Sequence, residues 1–157
     1  MRRAAFLLSG LCAACVAPEA QLWPHPWDPI GYPGFSESID AFAGPLAIDC
    51  GFFDMTESKS IGMSRRSQAL ACISAATERG LAFKFGTLRI PIDSYVHEVF
   101  VRTAKGQSWM IVYDVMIDGA APQQWNQLCT SVQVDRHTLI LQGEGCVEKS
   151  TGRLNAS

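Results

Sequence analysis

The alternation of apolar and polar residues is clearest between Tyr95 and Ile117, where it predicts two β-strands folded back on one another. Residues 104–107 separate the two apolar arms and include Gly106. A glycine there can adopt the positive φ that a tight hairpin turn requires. We therefore predict a β-hairpin at the centre of the sheet.

The charges on the two arms indicate how the hairpin pairs. With Lys105-Gly106 as a two-residue loop, His97 lies opposite Asp114. Adding one residue to the loop would instead set Glu98 against Asp114, a like-charge pair that weakens the ribbon. We favour the two-residue loop, which predicts a cross-strand pair between His97 and Asp114.

The other patterns predict one main helix and further strands. The helix begins at Ser60 or Ser64, gathers its apolar residues on one face, and stops at Gly80. We also expect strands at 45–53 and 82–92, a final hairpin at 129–134 and 139–146, a short turn or helix at 35–44 with Ser36 as its cap, and a helical turn at 123–128. Together they predict an α+β fold, with one helix packed on an antiparallel sheet of about four to six strands in two layers.

The size and charge of the chain limit its functions. It has 157 residues, a formal net charge of -2 and a pI near 5.9. This length suits one modest domain, and the absence of a basic excess makes nucleic acid an unfavourable partner.

Six cysteines divide into a pair near the N-terminus, Cys12 and Cys15, and four in the body. Cys50 on the first strand precedes Cys72 on the buried side of the helix, and we pair these two. In the final hairpin, a turn at 136–139 brings Cys129 opposite Cys146. No Cys-x-x-Cys spacing occurs in the body, so we predict two structural disulfides and no zinc site.

The N-terminal residues predict export. Two arginines precede an apolar run from Ala4 to Ala14 that is too short to span a bilayer, which requires ~20 residues. The run ends in Leu11-Cys12-Ala13-Ala14-Cys15. This segment resembles the lipobox of bacterial lipoproteins, although the leucine lies four positions before Cys15 rather than three.

The resemblance implies cleavage before Cys15 and lipidation of that cysteine, which would anchor the chain in a membrane. With Val16 in second position, the sorting rule for such lipoproteins implies an outer-membrane protein facing the periplasm. The alternative is an ordinary signal cut near Ala14 or Ala17, which would give a soluble periplasmic or secreted protein. Both alternatives export the chain.

The predicted organisation is a signal peptide at 1–14, a tether at 15–44, a domain at 45–148 and a flexible tail at 149–157. The first part of the tether, residues 16–34, is rich in proline and aromatic residues and would reach about 50 to 60 Å if extended. Trp23 and Trp27 lie within it. We expect them to serve in a stalk, to fold back onto the domain, or to form an adhesive site for a partner.

A catalytic site would have to use Asp93, Ser94, His97 and Asp114. Ser94 and His97 are three residues apart on one strand, so their side chains project to opposite faces and cannot form a nucleophilic triad. His97 and Asp114 alone make a weak metal site. We therefore predict no catalytic residue, metal or cofactor, and retain His97 and Asp114 as candidate binding residues.

Three functional hypotheses follow. The first is a lipid-anchored envelope protein with a non-enzymatic binding or structural role toward a protein or a cell-wall component. The second is a periplasmic inhibitor of a secreted hydrolase. The third is a hydrolase that uses His97 and Asp114.

Overall fold

The structure, a computed structural model, describes residues 27–29, 32, 34–55 and 63–151. This part of the chain contains two helices and eight strands, which form a six-stranded and a two-stranded sheet. The elements are α1 (Phe35–Ala43), β1 (Ile48–Asp54), α2 (Met63–Glu78), β2 (Phe83–Arg89), β3 (Ser94–Arg102), β4 (Ser108–Met116), β5 (Gln123–Cys129), β6 (Ser131–Val134), β7 (Leu141–Glu144) and β8 (Val147–Thr151).

The large sheet has the strand order β1-β2-β3-β4-β5-β8. The predicted α+β class is confirmed, but the sheet is mixed because β1 and β2 run parallel. Helix α2 connects these two strands. Parallel neighbouring strands need a long crossover connection, which is usually a helix. The prediction of an entirely antiparallel sheet is therefore wrong.

The central hairpin forms as predicted, with a different register. The N–H of Thr103 donates to the carbonyl of Gln107 at 2.9 Å, so the loop contains three residues, 104–106, instead of two. This register sets Arg102 opposite Ser108 and His97 opposite Tyr113. Gly106 has a φ of 77° and its N–H donates to the carbonyl of Thr103. A loop of three residues whose last residue is left-handed is a common hairpin connection.

The two faces of the large sheet carry separate cores. Val99 and Val101 pack in one cluster with residues of α1, whereas Phe100, between them on β3, packs in a second cluster with residues of α2. Neighbouring residues of a strand point to opposite faces, so the helices cover opposite sides of the sheet. The expected two-layer arrangement with one helix is replaced by a sheet covered on both sides.

Both predicted disulfides are present, Cys50–Cys72 and Cys129–Cys146. Gly51, with a φ of 105°, lies in an irregularity of β1, and Cys50 beside it joins the cluster that contains α2. In the small sheet Val132 pairs with Gly143, as predicted for the final hairpin.

The packed unit extends beyond the predicted domain at both ends. Trp27 and Tyr32, which the prediction placed in the tether, are buried in the same cluster as α1. At the other end, Lys149 belongs to β8, which pairs with β5, so the predicted tail boundary at 149 is also wrong. The signal segment and the first residues of the tether lie outside the described residues.

Two local predictions are also wrong. Residues 123–128 form strand β5 rather than a helical turn, because Gln124 and Asn126 hydrogen-bond within the sheet. Ser36 does not cap α1. The N-cap residue is Gly34, and the N–H of Ser36 donates to Asp28 Oδ1 at 2.7 Å.

Candidate functional site

The structure separates His97 from Asp114. His97 pairs with Tyr113, and Asp114 pairs with Val96, so the two side chains lie on opposite faces of the sheet. The predicted cross-strand pair is therefore wrong. Because the two side chains lie on opposite faces, they do not have the geometry that a hydrolase or metal site built on both residues would need. The sequence argument that Ser94 and His97 face opposite ways agrees with this register.

His97 is buried among aromatic side chains on the face that α1 covers. Its ring stacks on Phe52 with a centroid distance of 5.9 Å and meets the rings of Phe35 and Tyr113 at larger angles. Nδ1 is buried without a hydrogen-bond partner. Burial lowers the pKa of His97 to about 4, although the charge of Asp54 opposes the shift. The histidine is therefore a neutral core residue at physiological pH.

The remaining sequence candidates do not converge on one site. Trp27 is 2% exposed and packs over Gly86. This position corresponds to the alternative in which the segment folds back onto the domain. Asp93 lies in an exposed loop and Ser94 is buried. Trp23 and Cys15 lie outside the described residues. Within the described residues, no three His, Cys, Asp or Glu side chains are grouped to hold a metal.

A cleft of about 620 Å³ lies at the carboxyl ends of the parallel strands β1 and β2. Its wall is completed by the first turn of α2 and by the turn between β6 and β7. The volume is within the range of ~300–1,000 Å³ that small-molecule sites occupy. Its lining residues are Met55, Arg66, Arg89, Ile90, Pro91, His137, Thr138 and Ile140. We refer to this feature as the cleft.

Two arginines line the cleft, and they differ in how their charge is compensated. Arg89 forms a bidentate pair with Glu98, donating from Nε to Oε2 at 3.1 Å and from Nη2 to Oε1. Arg66 donates from Nη1 to the carbonyl of His137 at 2.5 Å, and its Nε is buried without a hydrogen-bond partner. The charge of Arg89 is therefore compensated, whereas among the described residues Arg66 donates to a neutral carbonyl and forms no ion pair.

The turn that carries His137 and Thr138 is held in place by Asp135. Its Oδ1 accepts the N–H of Thr138 at 2.6 Å, the hydroxyl of Thr138 at 2.7 Å and the N–H of His137 at 2.9 Å. These hydrogen bonds, those from Thr138 above all, lower the pKa of Asp135. The Asp135 carboxylate therefore preorganises this wall of the cleft.

An apolar patch adjoins the cleft. Ile90, Ile92 and Ile117 are 42%, 92% and 56% exposed, and we call them the isoleucine patch. The N–H of Ile117 donates to the carbonyl of Asp93 at 2.8 Å, which holds the loops after β2 and β4 together. Ile90 belongs both to the patch and to the lining of the cleft, so the two features are continuous.

Sequence reasoning missed this surface. It assigned Ile90 to the interior of a strand, but β2 ends at Arg89 and Ile90 follows it. The available signal was Ile90-Pro91-Ile92, where a proline that ends a strand lies between two apolar residues. Such residues have no ladder to join and are left at the sheet end. Arg66 was not among the candidate site residues of the sequence analysis.

A second cavity, of about 370 Å³, lies at the opposite end of the sheet, beside the loop that contains Gly106. It is bordered by ends of β3, β4, β5 and β8 and includes the charged side chains of Arg102 and Lys149. Its aliphatic lining consists of Leu128 and Val147, so the cleft, with Met55, Ile90, Pro91 and Ile140, is the larger and more apolar candidate for ligand binding.

No helix among the described residues is long and apolar enough to cross a membrane. No protein-family model matches the chain, and no curated protein or solved structure is significantly similar to it.

Proposed function

We propose that the chain is a lipid-anchored cell-envelope protein whose domain binds a partner, either a protein or a cell-wall component, in a non-enzymatic role. The observation that carries the proposal is the combination of the cleft and the isoleucine patch at one end of the sheet. Ile92 is 92% exposed, and apolar side chains gathered beside a concave site mark interaction surfaces. Two disulfides suit an oxidising compartment outside the cytoplasm.

The binding surface can be tested by photo-crosslinking in intact cells, with a photoreactive amino acid at Ile92. Leu46 is the matched control because it is 91% exposed and precedes β1 at the opposite end of the sheet. We expect one envelope component to be captured from position 92, and the same component to be lost on Ile117→Asp. Equal capture from positions 92 and 46, or none from either, would contradict the proposal.

The anchor is tested separately by the intact mass of the protein extracted from membranes. We expect a chain that begins at Cys15 and carries lipid, with four cysteines oxidised. A chain without lipid that begins near Ala14 or Ala17 would favour the soluble periplasmic or secreted alternative. A chain that retains its first fifteen residues would rule out export.

The same surface favours one alternative, an inhibitor of a secreted hydrolase. The loop at residues 90–93 is short, is tied to the next loop by the hydrogen bond from Ile117 to Asp93, and presents Ile92 to solvent. A rigid loop with an exposed apolar side chain can enter an active-site cleft. Inhibition assays against lysozymes and proteases, with Ile92→Asp as the comparison, test this alternative.

A further inference from the structure

We propose that the cleft binds a peptide segment of the partner in which an acidic side chain lies next to apolar ones. This inference rests on the proposed function and names the chemistry of its ligand. Arg66 would receive the carboxylate, and the apolar lining would receive the neighbouring side chains.

The electrostatic argument begins with the charges that line the cleft. Among its described lining residues there are two arginines and no carboxylate. Glu98 is 7% exposed and is already paired with Arg89, so this ion pair leaves no net charge to offer a ligand. Arg66 makes no ion pair in the described part of the chain, and the first turn of α2 contains no acidic residue.

Arg66 has donors to spare. One nitrogen is committed to the His137 carbonyl, and Nε is buried without a partner. A guanidinium has five N–H donors, and a carboxylate is the acceptor that fits them best. A bound carboxylate would compensate a charge that the protein itself leaves open.

The apolar half of the cleft selects the rest of the ligand. Met55, Ile90, Pro91 and Ile140 line it, and the exposed side chains of Ile92 and Ile117 extend it outward. About 620 Å³ is more than a lone carboxylate fills, so an inorganic anion would leave most of the lining in contact with water. A peptide with apolar residues beside the acid uses both halves of the site.

The experiment uses the full exported chain and two synthetic pools of acetylated and amidated hexapeptides. Both pools carry randomised Leu, Ile, Val, Phe and Ser at five positions, and they differ only in glutamate or glutamine at the third. Bound peptides are identified by mass. We expect glutamate peptides to be bound at least about tenfold more tightly than their glutamine counterparts, because a hydrogen bond to a charged group contributes that much.

Two neighbouring arginines provide the matched variants. Arg66→Gln should abolish the glutamate preference. Arg65→Gln should retain it, since the Arg65 guanidinium lies over the ring of Phe53 and borders another cavity. Chemical-shift changes in the wild-type protein, centred on residues 66, 89–91 and 137–140, locate the bound peptide without relying on the stability of any variant.

The outcomes separate this inference from the proposed function. Equal binding of both pools, binding of neither, or an equal loss in both arginine variants would overturn the acidic-peptide inference. Each of those results leaves the Ile92 crosslink in place as evidence for a binding surface. A failed crosslink alongside a glutamate preference that depends on Arg66 would overturn the proposed cellular role and retain the peptide site.

Discussion

His97 makes the stability of the fold sensitive to acid. Its pKa is lowered from 6.5 to about 4 by burial. Between these values the unfolded chain binds a proton on this histidine and the folded chain does not, so the free energy of unfolding decreases as the pH falls through this range. The shift corresponds to a loss of about 3 kcal/mol, complete near pH 4.

The prediction is checked by urea unfolding at intervals between pH 7 and pH 4. His97→Phe retains an aromatic ring against Phe52 and removes the titration, so its stability should fall about 3 kcal/mol less than that of the wild type. His137→Gln, a change at an exposed histidine, should keep the wild-type dependence. Parallel curves for wild type and His97→Phe would contradict the buried-histidine explanation.

Gly143 is required by the disulfide that closes the small sheet. A Cβ at this position would lie 2.3 Å from Cys146 Sγ and 3.1 Å from Cys129 Sγ, closer than packed atoms approach. We expect Gly143→Ala to hinder the Cys129–Cys146 bond and to lower the free energy of unfolding by about 2–4 kcal/mol. Mass spectrometry after alkylation should find two free thiols. The neighbouring exposed Gln142→Ala should leave all four cysteines oxidised.

The register of the central hairpin shows what residue patterns leave open. Both faces of the sheet are covered, so Val99, Phe100 and Val101 are all buried. When a strand is apolar on both faces, the sequence does not reveal which face each residue takes. Shifting the strand pairing by one residue then still places apolar residues on both faces. The positive φ of Gly106 was predictable. The ion pair of Glu98 with Arg89 was not, because it depends on how β2 pairs with β3.

At the scale of elements, Lys84 joins α1 to the edge of the sheet. Its side chain is 6% exposed and pairs with Asp40 of α1 and, at 3.3 Å, with Asp49 of β1. The ammonium also lies 4.7 Å from the ring centroid of Trp27. The two carboxylates are 58% and 46% exposed, so the lysine is the member that depends on its partners.

This asymmetry predicts an order of stabilities. In Lys84→Met the two carboxylates return to water and the apolar stem is kept, so we expect a loss of about 1 kcal/mol. In the double variant Asp40→Asn with Asp49→Asn, a buried cation loses its counter-charges, and we expect about 3 kcal/mol. Chemical denaturation of both proteins checks the order. A larger loss in Lys84→Met would show that the aspartates, not the lysine, need the pair.

Strands β5 and β8 illustrate why element type was harder to predict at the edge of the sheet. Residues Gln124 and Asn126 are polar and would be expected in solvent. Both are buried, and Asn126 receives a hydrogen bond from Gln124 Nε2 at 2.7 Å and donates to Ser150 at 3.0 Å. Period-two patterning depends on apolar residues facing inward. Here Gln124 donates to Asn126, and Asn126 donates to Ser150 of β8, contacts that only the tertiary structure shows.

At the scale of the whole molecule, chain order held information that the prediction did not use. A strand, a helix of α2's length and a second strand follow one another in residues 48–89. That succession is typical of a parallel pair with a helical crossover. It also places the carboxyl ends of β1 and β2 together and so creates the cleft. Strand order beyond β4 depended on long-range pairing that residue patterns do not encode.

The fold-back of the N-terminal segment changes how the domain would be presented. With Trp27 fixed in the core, residues 16–26 remain between the proposed anchor at Cys15 and the domain. Fully extended, they span at most about 40 Å, less than the reach expected of a tether that ends at residue 44. A lipid-anchored domain would therefore stay closer to the membrane, and its partner would have to be reached within that distance.

The same packing predicts that a fragment beginning at Pro45 cannot fold. It would lose Trp27, Tyr32, Phe35 and Ile39, all buried against the sheet. At about 1.5–3 kcal/mol for each large apolar side chain, their combined loss is about 6–12 kcal/mol, comparable with the whole stability of a typical domain, ~5–15 kcal/mol.

We expect the fragment of residues 45–157 to lose its near-ultraviolet circular dichroism and to bind a hydrophobic dye, because Val99, Val101 and Ile111 would face water. A fragment of residues 16–157 contains every described residue and should unfold cooperatively. A shorter fragment with a native spectrum would show that α1 is an accessory covering. A shorter fragment without a native spectrum would establish that residues predicted to form the tether provide half of the core. In the described structure, one face of the sheet has no other apolar cover.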